Sequence, residues 1–223
     1  MISSNSFLKI ISSNKIYLAN LLLLNLAWSA SFFSYYMIGL YVKYIPGDIF
    51  TNIIIASISE ASSCLISGFV ANRIGTKSTM IYCFLIGGLF GTAIIYVPVD
   101  ASLMIITCLL LTKFGVSSAL NLCFLVTSEY FPVEISSTVF GWCGITSRVV
   151  SILAPLIAEW EAPIPMVIYA AFCFSSMFGI MFLRKYSNKK DIVDIDIKKE
   201  KEDGTENSYK MILSPSKSNQ HLE

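Results

Sequence analysis

The stretch SLMIITCLLLTKFGVSSALNLCFLVT (Ser102 to Thr127) decides the fold, because Lys113 is the only charged residue within it. A helix needs about 20 mostly apolar residues to cross a hydrocarbon layer of about 30 Å, since each residue adds about 1.5 Å. Inside that layer the backbone must satisfy its own hydrogen bonds, as a helix does. The stretch is therefore predicted to be a transmembrane helix.

Five further stretches on either side of it meet the same test, so the chain is predicted to be an all-α, multi-pass membrane protein. Hydrophobic residues make up 55% of the sequence and charged residues 14%, a composition typical of membrane proteins. Gly, Pro and Asp mark the breaks between the stretches. The six predicted spans are Tyr17 to Val42, Thr51 to Ala71, Thr79 to Val97, Ser102 to Thr127, Thr138 to Ala158 and Pro163 to Leu183.

The chain divides into three predicted regions. Residues 1–15 are expected to form a cytoplasmic lead without a cleavable signal, residues 16–184 the transmembrane domain, and residues 185–223 a disordered cytoplasmic tail rich in charged and polar side chains. Basic residues are retained on the cytoplasmic side during insertion. Both termini are predicted to be cytoplasmic, because one side has Lys43 alone and the other has Lys9, Lys15, Arg73, Lys77, Arg184, Lys185, Lys189 and Lys190.

Three charged residues lie deep inside predicted spans: Glu60, Lys113 and Arg148. A charge at this depth costs at least a few kcal/mol, so it normally faces a cavity or a partner. If spans one to three and four to six are inverted repeats, Glu60 and Arg148 lie at matching depths, which favours a polar pathway at the midplane. The alternative is that the three residues pair with one another as structural ions. Spans three and six carry no charge and are expected to face lipid.

Tyr35 and Tyr36 on the first span form an aromatic cluster with Trp28, Phe32 and Phe33. Such a cluster offers ring faces to a cationic or flat substrate, and the alternative is ordinary packing or an interfacial belt. On the third span, Gly87, Gly88 and Gly91 predict close contact with neighbouring helices.

Several functional classes find no support in the sequence. The only histidine is His221 in the tail, so no base is available to activate an intramembrane serine, and the chain is not expected to be an enzyme. No P-loop occurs, and no basic face predicts nucleic-acid binding. The six cysteines lie apart within apolar stretches, so they are interpreted as small apolar residues. No metal site or cofactor is predicted.

Four blocks together resemble the C-terminal half of a major facilitator superfamily transporter of the organic cation, organic anion and carnitine type. The second block resembles the family's loop between helices eight and nine, and the third its tenth helix. The blocks are GDIFTN (Gly47 to Asn52), NRIGTK (Asn72 to Lys77), KFG with TSEYFP (Lys113 to Gly115, Thr127 to Pro132) and SRVVSILAP (Ser147 to Pro155).

This resemblance implies a fold of two inverted three-helix repeats, which is half of a twelve-helix transporter. It also implies a conformational loop on the cytoplasmic side, formed by Asn72, Arg73, Gly75, Lys77 and Glu129. The sequence departs from the family pattern at two positions of the loop, where Asn72 replaces Asp and Thr76 replaces Arg, and at Ser136, which replaces an Arg shortly after TSEYFP. Because such charges latch the two halves together, the latch is expected to be weakened.

The resemblance implies transport of a small organic ion, with an anion or zwitterion favoured because Arg148 stands where anion and carnitine carriers have Arg. Arg148 is expected to bind a carboxylate, Glu60 a cation or proton, and Lys113 to balance their charge, with Tyr35 and Tyr36 beside them. The expected partner is a second six-helix half, supplied by a longer chain, a separate chain or a homodimer, in the plasma membrane. The alternative is a non-transporting membrane scaffold or receptor derived from a transporter.

Overall fold

A computed structural model describes residues 15–44, 48–98, 101–131, 133–161 and 163–184, and every regular element in these ranges is helical. Six candidate membrane spans are present, which confirms the prediction of an all-α, multi-pass integral membrane protein. The predicted lead and tail fall outside the described residues, except for Lys15. The helices are α1 (Lys15–Tyr41), a 3-10 turn (Val42–Tyr44), α2 (Ile49–Ile74), α3 (Thr76–Tyr96), α4 (Ser102–Tyr130), α5 (Val133–Ser151), α6 (Leu153–Ala158) and α7 (Ile164–Met181).

Capping interactions at its two ends set the limits of α2. Asp48 precedes it in an extended conformation, and its Oδ2 accepts a hydrogen bond of 3.0 Å from the backbone N–H of Thr51. At the other end, Gly75 has a φ of +89°, which favours glycine, and its N–H donates to the carbonyl of Ala71. Since Gly75 is the single residue between α2 and α3, the predicted loop of Asn72 to Lys77 consists largely of helix ends.

The fifth span is divided into α5 and α6 at Ile152. Pro155 explains the division, because proline has no N–H to donate and its ring crowds the carbonyl four residues earlier, that of Ser151. The N–H of Ile152 still donates to the carbonyl of Arg148 at 3.3 Å. The two helices therefore make one bent crossing.

The helices pack around a central pair, α1 and α4. Helix α4 packs against α2 and α3, helix α1 packs against α5, α6 and α7, and α3 packs against α7. The first three spans correspond in order to the last three, so that α1 matches α4, α2 matches α5 with α6, and α3 matches α7. When each helix is replaced by its counterpart, the same pairs of helices are in contact, as two inverted repeats require. The sequence shows the same relation at the centre of the spans. On α2, Glu60 lies between the buried residues Ser59 and Ser63. On α5, Arg148 lies at the corresponding place between the buried residues Ser147 and Ser151.

Glycines bring α3 into close contact with α4 and α7, which confirms the prediction made from Gly87, Gly88 and Gly91. A methyl group at Gly115 on α4 would lie 2.6 Å from the backbone N of Gly87. Tyr169 on α7 is fully buried against Gly91, and its hydroxyl donates to the carbonyl of Gly87 at 3.1 Å. These contacts hold α3 closely against α4, and α7 against α3.

Candidate functional site

Glu60, Lys113 and Tyr35 come together from three helices. Glu60 lies near the middle of α2, and its Oε2 is 3.5 Å from the Nζ of Lys113 on α4. Its Oε1 accepts a hydrogen bond of 2.6 Å from the hydroxyl of Tyr35 on α1. Ser59, the preceding residue, fixes α2 against α4 because its hydroxyl donates to the carbonyl of Leu110 at 2.8 Å. The structure thus brings three of the predicted site residues into one cluster.

Lys113 is the deeply buried member of this cluster, with 7% of its side chain exposed against 36% for Glu60. Its Nζ also lies 3.7 Å from the centroid of the Tyr35 ring, over the negative face of the ring. A buried ammonium needs such compensation, because removing it from water is costly. The Glu60 carboxylate and the Tyr35 ring supply it, so the pair carries no net charge.

Arg148 lies apart from this pair, on α5. Its side chain is exposed, and its guanidinium carbon lies 5.5 Å from the centroid of the Phe32 ring on α1. No carboxylate in the described part of the chain is within salt-bridge distance of Arg148. Of the three charges that the sequence placed inside the spans, two neutralise each other and the third remains uncompensated. The site therefore has a net charge of +1.

Aromatic rings connect the two charged regions along α1. The Phe32 and Tyr36 rings lie 6.5 Å apart, and the Tyr36 and Tyr35 rings 5.5 Å apart in an edge-to-face arrangement. Tyr36 is 41% exposed, whereas Phe33 and Trp28 are buried. The indole N–H of Trp28 donates to the Thr127 hydroxyl at 3.0 Å. The cluster thus divides into packing residues and an exposed ring, Tyr36, beside the charges.

Asn25 and Thr146 form a polar contact that the sequence analysis did not identify. The Thr146 hydroxyl on α5 donates to Asn25 Oδ1 on α1 at 2.6 Å. On the opposite side of the site, the Asn121 amide on α4 donates to the sulfur of Cys64 on α2 at 3.1 Å. The available signal was an amide inside an apolar run, LLLLNL for Asn25, because such a residue in a membrane span marks a helix contact or a pathway.

The predicted loop residues occupy one end of the bundle but do not form one cluster. The Thr76 hydroxyl donates to the Glu129 carboxylate, joining α3 to α4. The Lys77 ammonium donates to the carbonyls of Met181 and Leu183 at 2.9 and 2.7 Å and so caps α7. Arg73 lies over the Phe69 ring, and Asn72 is exposed. Gly75 makes the turn between α2 and α3.

Comparison with models of known protein families finds no match to this chain, and comparison with curated proteins finds no significantly similar relative. The family resemblance of the four sequence blocks therefore stands as a proposal. Within the described residues, no group of three His, Cys, Asp or Glu side chains is placed to hold a metal ion. The functional interpretation accordingly depends on the charges and their surroundings.

Proposed function

We propose that this chain is one six-helix half of a secondary transporter that carries small organic anions across the membrane. The observation that supports the proposal best is Arg148, an exposed guanidinium in the middle of a span with no carboxylate to neutralise it. A cation exposed to acyl chains is strongly disfavoured, so Arg148 requires an aqueous opening or an anionic ligand. A substrate carboxylate supplies the missing charge, and the planar guanidinium binds it through two hydrogen bonds.

The charge balance of the site favours an anion over a zwitterion. Glu60 is already engaged by Lys113 and by the Tyr35 hydroxyl, so it offers little to a substrate ammonium group. Arg148 has no such competitor. The Arg148 guanidinium lies over the buried Phe32 ring, and the neighbouring Tyr36 ring, which is exposed, provides apolar surface for the carbon skeleton of the substrate.

The proposal includes a second six-helix half that completes the pathway. In transporters built from inverted repeats, two such halves move against each other around a site at mid-membrane. Helices α2 and α5 with α6 are the least buried spans of this chain, and they carry Glu60 and Arg148. We assign these helices to the face that meets the other half. By the family resemblance, the chain is the C-terminal half of a plasma-membrane carrier with both termini in the cytoplasm.

Binding to the purified chain in lipid nanodiscs tests the proposed substrate class. Three radiolabelled probes of similar size separate the charge types: benzoate as anion, glycine betaine as zwitterion and choline as cation. We expect benzoate to bind best and Arg148→Ala to weaken its binding at least tenfold. Lys43→Ala is the matched control, because Lys43 pairs with Glu159 at the end of the bundle. Equal binding of benzoate by Arg148→Ala and by the wild type would refute the assignment.

Uptake into proteoliposomes then separates a carrier from a scaffold. Saturable uptake of benzoate by the chain alone supports a homodimeric carrier. Binding without uptake supports a half that needs a different partner. Failure of all three probes to bind or enter would leave the alternative of a membrane scaffold derived from a transporter.

A further inference from the structure

Helices α2 and α5 are the two sides of one open face of the bundle. The central helices α4 and α1 lie between them, because α2 packs against α4 and α5 packs against α1. Helices α3 and α7 pack against the central pair and against each other, so they close the opposite face. The open face is the one that we assign to the other half of the transporter, and its two sides carry Glu60 and Arg148.

Glu60 and Arg148 lie level with each other on this face. The start of α2 and the end of α6 are at the same end of the bundle, where Lys43, shortly before α2, pairs with Glu159, directly after α6. From that end, Glu60 is eleven residues along α2, and Arg148 is ten residues along the fifth span. These separations correspond to about 16 Å and about 15 Å along the helix axes.

The two sides of the open face are opposite in charge. Glu60 and Lys113 neutralise each other, but 36% of the Glu60 side chain is exposed against 7% of the Lys113 side chain. The carboxylate therefore lies at the surface of the face with the ammonium behind it, so the α2 side presents a negative group. Arg148 is exposed and pairs with no carboxylate of the described residues, so the α5 side presents a positive group.

Small side chains accompany both charged groups on their sides of the helices. Most of these positions are exposed, and a methyl group added to any of the three glycines among them would meet no atom within 4 Å. In a membrane, small residues allow two helices to approach each other closely. By helical spacing, the residues are Ser57, Cys64 and Gly68 beside Glu60, and Ser137, Gly141 and Gly144 beside Arg148.

We propose that the other half is a second copy of this chain, related to the first by a twofold axis along the membrane normal. The inference rests on the proposed function, because it names the partner that completes the same site. A twofold rotation preserves depth and places α2 of each copy against α5 of its partner. The partner's Glu60 then lies level with Arg148, and the negative side of each copy meets the positive side of the other.

The second copy provides compensation for Arg148 when no substrate is bound. An isolated guanidinium in the middle of a span is costly, so the empty carrier needs a negative group nearby. The partner's Glu60 supplies that negative group, and a substrate carboxylate takes over its role on binding to Arg148. Two equivalent sites result, one at each contact between α2 and α5.

Disulfide cross-linking between copies in oxidised proteoliposomes tests the arrangement. Cys64 is the exposed native cysteine, fifteen residues from the start of α2, and Gly144 is fourteen residues from the end of α6, so the two lie at nearly equal depth. We expect Gly144→Cys to form a covalent dimer, and Cys64→Ser to abolish it by removing the native thiol. Leu89→Cys is the control and should form no dimer, because it is exposed on α3, on the opposite face.

Single-molecule photobleaching of a fluorophore at the C-terminus measures the dimer in liposomes without cross-linking. We expect the wild type to bleach in two steps. Arg148→Glu places two carboxylates level with each other and should weaken the dimer at least tenfold. Gly144→Leu should weaken it without a change of charge, because it fills the open space that a close helix contact needs. Leu89→Ala is the control and should leave the dimer unchanged.

A wild type that stays monomeric as the protein-to-lipid ratio rises overturns the inference, as does a cross-link of Leu89→Cys as strong as that of Gly144→Cys. If the monomer still binds benzoate through Arg148, the proposed function stands with a different six-helix half as partner. If the cross-linked dimer forms but binds no anion, the interface is supported and the proposed function fails.

Discussion

Replacing Glu60 with Gln tests whether Glu60 neutralises Lys113, as the charge balance of the site requires. Two opposite charges 3.5 Å apart attract each other by about 5 kcal/mol at an effective dielectric constant of about 20. Glu60 is partly exposed, so screening by solvent lowers the expected loss in the free energy of unfolding to about 3 kcal/mol for Glu60→Gln. Gln retains an oxygen for the Tyr35 hydroxyl, so the loss reports mainly on the buried Lys113 ammonium.

A double-mutant cycle with Lys113→Met isolates this interaction. Lys113→Met alone should cost less, about 1 to 2 kcal/mol, because the remaining Glu60 carboxylate is partly solvated and keeps its bond from Tyr35. The double variant should be close to the wild type, since it leaves no buried charge. Reversible unfolding in bicelles, measured by steric trapping, gives the four free energies. Simple addition of the two single losses would show that Glu60 and Lys113 do not pair.

Three further predictions concern the frame around the site. Gly115→Ala should separate α3 from α4 by about 1 Å and cost about 2 kcal/mol in the same unfolding assay, whereas Gly141→Ala, with open space around it, should cost nothing. Lys77→Met removes two hydrogen bonds to the end of α7 and should speed amide hydrogen exchange there, with no change in α1. Asp48→Ala should lower the melting temperature at neutral pH. Because a backbone hydrogen bond from Thr51 lowers the pKa of Asp48 below its ordinary 3.8, this stabilisation is complete above pH 3.8, and the difference in melting temperature should vanish only as the pH falls below it.

The number and approximate limits of the spans could be predicted because length and hydropathy are local properties of the sequence. Their detailed limits could not. Gly75 alone reverses the chain between α2 and α3, so the polar run from Asn72 forms helix ends where a loop was predicted. Pro155 divides the fifth span, although the surrounding residues are apolar enough for one continuous helix.

The site could be predicted only as a set of residue types. Glu60, Lys113 and Arg148 were identified because a charge in a membrane span is conspicuous. Which of them pair depends on helix rotation, and a span that is apolar on most sides gives little periodic signal for rotation. Asn25 was missed for a related reason: an uncharged amide is less conspicuous, and its importance appears only when α5 brings Thr146 against it.

The central claim is that Arg148 faces water in the middle of the membrane, and cysteine labelling measures this directly. Cys64 is the exposed native cysteine and the other five are buried, so a Cys64→Ser background removes the accessible thiol. In that background, Arg148→Cys should react rapidly with an anionic, membrane-impermeant methanethiosulfonate in nanodiscs. Leu89→Cys, exposed on α3 and expected to face lipid, should not react. Labelling of position 148 no faster than position 89 would place Arg148 against acyl chains and contradict the proposed anion pathway.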